Sequence, residues 1–208
     1  MHRKGLAFFL ALIIMITGNC SIKASDNTGL VNLRQLIPDA LIELPYATAD
    51  NFVGQVLYSA NEAYLVEPAA KALASVAADL REQGFRVKIL DAYRPLAVQS
   101  ILWKIKPDPS FVAPPTSGSR HNRGASVDIT LVDADLKEIE MPSKYDEFGP
   151  KARSYGQKLP ASIQKNLETL QNAMKKYGFT TINSEWWHFD FQDWKKFRLL
   201  NVSFENLR

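Results

Sequence analysis

The sequence predicts an α+β fold with a mostly antiparallel central sheet and flanking helices. Two observations carry this expectation. Three stretches repeat apolar residues at helical spacing, and four short stretches have strand character. The two kinds do not alternate regularly, as a doubly wound parallel sheet requires, so a layered α+β arrangement is favoured. A chain of 208 residues, 46% of them hydrophobic, is enough for one globular domain with a real core.

The elements follow in order. Residues 25–45 read as an N-terminal arm leading into the domain. Tyr46 to Gly54 mixes aromatic residues with turn formers and reads as ordered loop. Glu67-Pro68 opens a helix, with proline at a tolerated first-turn position. Leu73, Val76, Ala77 and Leu80 mark its buried face, and Gly84 closes it. Arg86–Leu90 is a short strand that ends at Asp91-Ala92-Tyr93-Arg94-Pro95, where proline forces a turn or begins a helix. Val98, Ile101, Leu102 and Ile105 mark that second helix. Lys106 to Gly118 is a loop. In Ala125–Leu131, Val127, Ile129 and Leu131 share one face, and Ser126, Asp128 and Thr130 share the other. Asp128 therefore faces either solvent or a cleft. Asp133 to Gln157 is a long polar loop. A third helix starts at Pro160, carries Ile163, Leu167, Leu170, Met174 and Tyr177 inward, and stops at Gly178. Phe179–Ile182 and Glu185–Phe191 read as strands.

The first 24 residues stand apart. His2-Arg3-Lys4 is a basic start, and Leu6 to Ile16 is nearly all apolar but too short to span a bilayer. This reads as a secretory signal on a domain of residues 25–208. Release after Ala24 is the favoured processing, with lipidation at Cys20 as the alternative; either gives an exported, most simply periplasmic, protein. Without Arg3, Lys4 and Lys23 the 25 basic residues become 22, equal to the 22 acidic ones. The net charge of +3 thus belongs to the leader. No concentrated basic patch points to nucleic acid. Cys20 is the sole cysteine, so the domain has no disulfide, thiolate metal site or cysteine nucleophile. Any transition-metal site must use nitrogen and oxygen donors.

Two of the three histidines, His121 and His188, sit near carboxylates. With Asp128 they supply two nitrogens and one oxygen, a donor set that suits a catalytic zinc with an open position. A further carboxylate must take the proton of an attacking water, and Glu185 is the candidate. On a flat strand residues three apart lie on opposite faces. That role therefore requires Glu185 to sit at a strand entrance or a bend. The blander alternatives stand at this point: hydrogen-bonded structural histidines, an exposed acid on an aromatic strand, and an Asp128 that keeps a strand edge soluble.

Ser119-x-His121-x-Arg123-Gly124-x-x-x-Asp128, with Glu185-Trp186-Trp187-His188 downstream, closely resembles the D-alanyl-D-alanine dipeptidases of the VanX type. These are zinc D,D-peptidases that share a fold with the Hedgehog signalling domain. Tyr46-Ala47-Thr48-x-Asp50-Asn51-Phe52-x-Gly54 and Asp91-Ala92-Tyr93-Arg94-Pro95 extend the resemblance over roughly residues 35–195. It implies one zinc per chain on His121, Asp128 and His188, with Glu185 as catalytic base. It implies that Arg94 stabilises the tetrahedral intermediate, against the alternative of a structural ion pair with Asp91. Asp146 matches an aspartate that meets the substrate's free amino group, and Tyr46 and Ser119 match positions near the substrate. The chain departs from the family pattern at Pro142, where glycine is expected, and at Asn122, where serine is usual. The implied reaction is hydrolysis of the dipeptide D-Ala-D-Ala in cell-wall peptide turnover. The alternatives are a zinc D,D- or L,D-carboxypeptidase or endopeptidase on peptidoglycan stem peptides, and a non-catalytic cell-wall module of the same fold.

Overall fold

The computed structural model describes residues 28–207. The leader at 1–24 and the Cys20 alternative lie outside the described residues. In chain order the elements are β1 (Leu30–Asn32), α1 (Leu33–Leu36), β2 (Leu41–Ile42), β3 (Tyr64–Val66), α2 (Glu67–Glu82), β4 (Arg86–Asp91), α3 (Leu96–Ile105), β5 (Ser126–Val132), α4 (Ala161–Lys176), β6 (Phe179–Thr181) and β7 (His188–Phe191). Among the described residues no helix is long and apolar enough to cross a membrane.

Five strands form the central sheet in the order β2-β4-β5-β7-β6, and β1 and β3 form a separate antiparallel pair. Only β2–β4 is parallel; the other central pairings are antiparallel, as the sequence predicts. Val87 lies opposite Leu131, Ile89 opposite Ile129, and Phe189 opposite Val127, so the apolar sets of three strands coincide on one face. All six side chains are at most 1% exposed. α2 packs on β4, α4 on β6, and the two helices on each other. The buried faces of α2 and α4 include Leu73, Val76, Leu80, Leu167, Leu170 and Met174, at the spacing read from the sequence.

The opposite face of the sheet carries the polar set. Lys88 lies opposite Thr130, Asp128 opposite His188, and Ser126 opposite Asp190. A register shift between Ile89 and Asp91 brings Asp91 opposite Asp128 as well. β5 sits between β4 and β7 and is buried along its whole length. Asp128 is thus in the middle of the sheet, which removes the strand-edge reading and leaves the cleft.

Two expectations are corrected. Residues 25–45 are not simply an arm: Leu30 and Leu33 are fully buried, and β1 pairs with β3. Strands of three residues are too short to show an alternation. Glu185–Phe191 is not one strand either. β7 starts at His188, and Trp186 and Trp187 form a turn, with the Trp186 N–H donating 2.7 Å to the Ala152 carbonyl.

Candidate metal centre and catalytic site

His121 is delivered by a single 3-10 turn, His121–Arg123, closed by Gly124 at φ +61°. A Cβ on Gly124 would crowd Leu30 Cδ2 and come 3.2 Å from the Val66 nitrogen, so both the backbone angle and the space favour glycine. Asn122 is fully buried. Its amide donates to the Arg94 carbonyl at 2.8 Å, and its oxygen accepts the Ser119 N–H at 2.6 Å. The departure at this position therefore has a structural use: Asn122 ties the arginine motif to the histidine motif.

Asp128 and His188 are cross-strand neighbours on the polar face. His121 Nε2, Asp128 Oδ1 and His188 Nδ1 form a triangle with sides of 3.1, 3.3 and 2.9 Å. Tetrahedral ligands at about 2.0–2.1 Å from zinc are about 3.3 Å apart, close to these sides. The hydrogen bonds around the rings decide their tautomers. His121 Nδ1 lies 2.7 Å from the Ala92 carbonyl, which can only accept, so Nδ1 carries the proton. His188 Nε2 lies 2.9 Å from Asp190 Oδ1, and there the ring again donates. With both rings neutral, the two nitrogens of the triangle present lone pairs to a carboxylate oxygen. Three buried donors within 3.3 Å call for a cation between them, a metal or, in the stripped protein, a proton on His188 Nδ1. Two imidazoles and a carboxylate, with no thiolate, are a catalytic zinc donor set. The cluster fits the metal.

The supporting residues were harder to read in the sequence. Asp190 orients His188, and the Tyr145 hydroxyl donates to Asp128 Oδ2 at 2.9 Å. Asp190 had a signal, since residues two apart on a strand share a face. Tyr145 had none, because it comes from the long loop.

Glu185 lies just before β7, outside the strand, with Oε2 3.9 Å from His188 Nδ1. The bend that its role requires is present. Burial pushes its carboxyl up to about 8; Asp128 and Asp146 act in the same direction, against His188 and Arg94. A bound dication would act with His188 and Arg94 and draw it down.

Arg94 does make the ion pair with Asp91, which was the alternative to a catalytic role. Its Nε and Nη2 donate to Asp91 Oδ2 at 2.9 and 2.5 Å, and Nη1 donates to Gln99 at 2.9 Å. Asp91 is also tied to the Tyr58 hydroxyl at 2.8 Å. The guanidinium is therefore rigidly held, 5.3 Å from the Tyr46 ring centre, with further N–H groups to offer. The Tyr46 hydroxyl donates to Asp146 Oδ2 at 2.9 Å. Asp146 has φ +57°, a left-handed conformation that aspartate tolerates better than most residues. Burial pushes its carboxyl up to about 7, although the Tyr46 hydrogen bond opposes this.

All eight residues singled out from the sequence line one cavity of about 250 Å³. A larger, open groove of about 1550 Å³ adjoins it, and Phe52 and Asp146 line both.

A family model described as D-ala-D-ala dipeptidase matches residues 26–206. The D-alanyl-D-alanine dipeptidase of Escherichia coli strain K12 is 38% identical over 180 residues, covering 86% of this chain and 93% of that one. That of Enterococcus faecium is 25% identical over 186 residues, covering 79% and 92%. The vancomycin-resistance D,D-pentapeptidase VanY, solved in complex with Zn(II), aligns over 67% of this chain and 79% of its own, with a TM-score of 0.42 and 15% identity. With the family model spanning nearly the whole chain, and the 38% identity to the Escherichia coli protein running along 93% of its length, the chain belongs to the D-ala-D-ala dipeptidase family of peptidases.

Proposed function

We propose that this protein is an exported zinc dipeptidase that hydrolyses D-Ala-D-Ala in cell-wall peptide turnover. The observation that carries the reading is the convergence of three buried lone pairs beside Glu185, in a cavity small enough for a dipeptide. Export rests on the basic start and short apolar run of the leader. Mass spectrometry of the mature N-terminus tests it, since cleavage after Ala24 and lipidation at Cys20 give different masses.

His121, Asp128 and His188 would hold zinc, which would supply Lewis acidity and make an attacking water more acidic. The chain's own groups do the rest. Glu185 takes the proton of the attacking water and returns it to the leaving amine. Arg94, fixed by Asp91 and Gln99, presents its remaining N–H groups to the developing oxyanion. Asp146 accepts the substrate's ammonium group and so selects against chains extended at that end. Tyr46 holds Asp146, and Ser119 lines the cavity beside His121.

The test is zinc-dependent hydrolysis of D-Ala-D-Ala, L-Ala-L-Ala and a stem pentapeptide. Rapid cleavage of the first alone supports the reading. The open groove next to Asp146 supports the second reading, a carboxypeptidase on stem peptides, and preference for the pentapeptide selects it.

Asp146→Asn lowers kcat/KM for D-Ala-D-Ala by about 10–100-fold, the worth of one charge-assisted hydrogen bond. It changes hydrolysis of an N-acetylated substrate far less. The opposite order argues for the carboxypeptidase. The same group sets a pH dependence. Asp146 must be ionised to take an ammonium ion; burial raises its carboxyl and a bound dication lowers it again, so kcat/KM for the free dipeptide rises with pH up to about 7 and that for the N-acetylated one lacks this step.

Arg94 requires two variants. Arg94→Ala leaves Asp91 charged, buried and unpaired, and costs about 3–5 kcal/mol of stability. Arg94→Lys keeps the charge but loses the fork, and lowers kcat by about 10²–10³-fold in a protein that still folds. Wild-type kcat in the folded lysine variant reduces Arg94 to a structural ion pair.

A further inference from the structure

The dipeptide has a second charge, its terminal carboxylate, which lies one residue beyond the scissile bond. Asp128, Asp146 and Glu185 all line the cavity and repel it. Two cations line the same cavity, Arg94 and Arg120. Arg94 is clamped by Asp91 and Gln99, and its remaining N–H groups go to the oxyanion in the proposed mechanism. Arg120 has no such duty.

The Arg120 side chain is 40% exposed, and its nearest acid is Asp190, with Nη1 3.4 Å from Oδ2. A charge-assisted hydrogen bond is usually about 2.7–2.9 Å, so this contact is a loose one. The guanidinium lies 4.8 Å from the centre of the Trp194 ring, a cation–π contact that uses none of its N–H groups as a donor to an acid. Arg123 and Lys195 flank the same ring at 5.6 and 5.5 Å and add positive potential on that side of the cavity. The Arg120 backbone is pinned as well: its carbonyl accepts the N–H groups of Arg123 at 3.0 Å and Ala125 at 3.2 Å. The fork therefore sits next in sequence to the ligand His121, on a pinned backbone and with donors to spare.

We propose that Arg120 binds the terminal carboxylate of the substrate and sets the requirement for a free C-terminus. This rests on the dipeptidase reading. The rival is a positioning role, in which Arg120 steadies Asp190 and through it His188.

The experiment uses zinc-loaded Glu185→Gln protein, titrated by calorimetry with D-Ala-D-Ala and with its C-terminal amide. The free acid binds about 10–100-fold tighter than the amide, as expected for one charged pair. Adding Arg120→Gln removes most of that preference and leaves affinity for the amide and zinc content unchanged. Adding Arg120→Lys keeps part of it. A preference that survives Arg120→Gln overturns the proposal. Equal weakening of both ligands, or loss of zinc, also overturns it in favour of the positioning role. Failure of the Glu185→Gln protein to bind either ligand overturns it too. Wild-type turnover of D-Ala-D-Ala, measured separately, then shows whether the dipeptidase reading falls with it.

Discussion

Glu185→Gln lowers kcat for D-Ala-D-Ala by about 10²–10⁴-fold, the usual contribution of a positioned general base, while the protein keeps its zinc and its melting temperature. The reason lies in the surroundings of the side chain. Glu185 is 7% exposed, and burial favours its neutral form strongly enough to push it up to about 8. A neutral amide of the same shape is therefore no harder to bury. It lies beside the metal ligands without being one, since the triangle is closed by His121, Asp128 and His188. The substitution thus removes a proton acceptor and little else. Turnover near the wild-type rate in a zinc-replete Glu185→Gln protein would remove Glu185 from the mechanism.

Stripping the metal abolishes hydrolysis and also destabilises the fold. A ligand present at a thousandfold its dissociation constant stabilises by about 4 kcal/mol. For a domain of this size each kcal/mol moves the melting temperature by about 2–4 °C. The stripped protein should therefore melt roughly 8–16 °C lower, and zinc should restore both activity and melting temperature. A stripped protein that melts with the loaded one would exclude a metal on this triangle. The gap also depends on pH. In the stripped protein burial opposes a proton on His188, but Asp190 and Asp128 outweigh it and raise the imidazole well above its usual value. That proton's contribution to stability is fully present below the unfolded pKa of about 6.5 and is lost as pH rises through the higher folded value. Zinc must displace the same proton. The difference between loaded and stripped protein therefore widens with rising pH.

The particular elements show what was legible. α2, α3 and α4 were readable because each is long enough to repeat its apolar residues at helical spacing. β5 was readable because seven residues allow a clean alternation. β1 and β3 were not, with three residues each. In the sequence Asn122 is only a departure from the usual serine, because the Arg94 carbonyl that its amide reaches lies 28 residues away and meets it only in the fold. For Arg94, Asp91 was foreseen as a partner, but the Gln99 contact that completes the clamp was not.

The sequence by itself determined the α+β class, the main helices, the polar face of β5 and the donor types a metal site must use. These depend on local periodicity and on residue chemistry. Tertiary structure alone decided that the donors converge. Asp128 and His188 are 60 residues apart and become neighbours only through the register of β5 against β7. A slip of one residue would set Phe189 against Asp128 and turn His188 into the apolar layer. The same pairing leaves Glu185 outside the strand, at the bend that brings it within 3.9 Å of His188. Local preference chooses a face for each side chain, and long-range pairing chooses what stands opposite it.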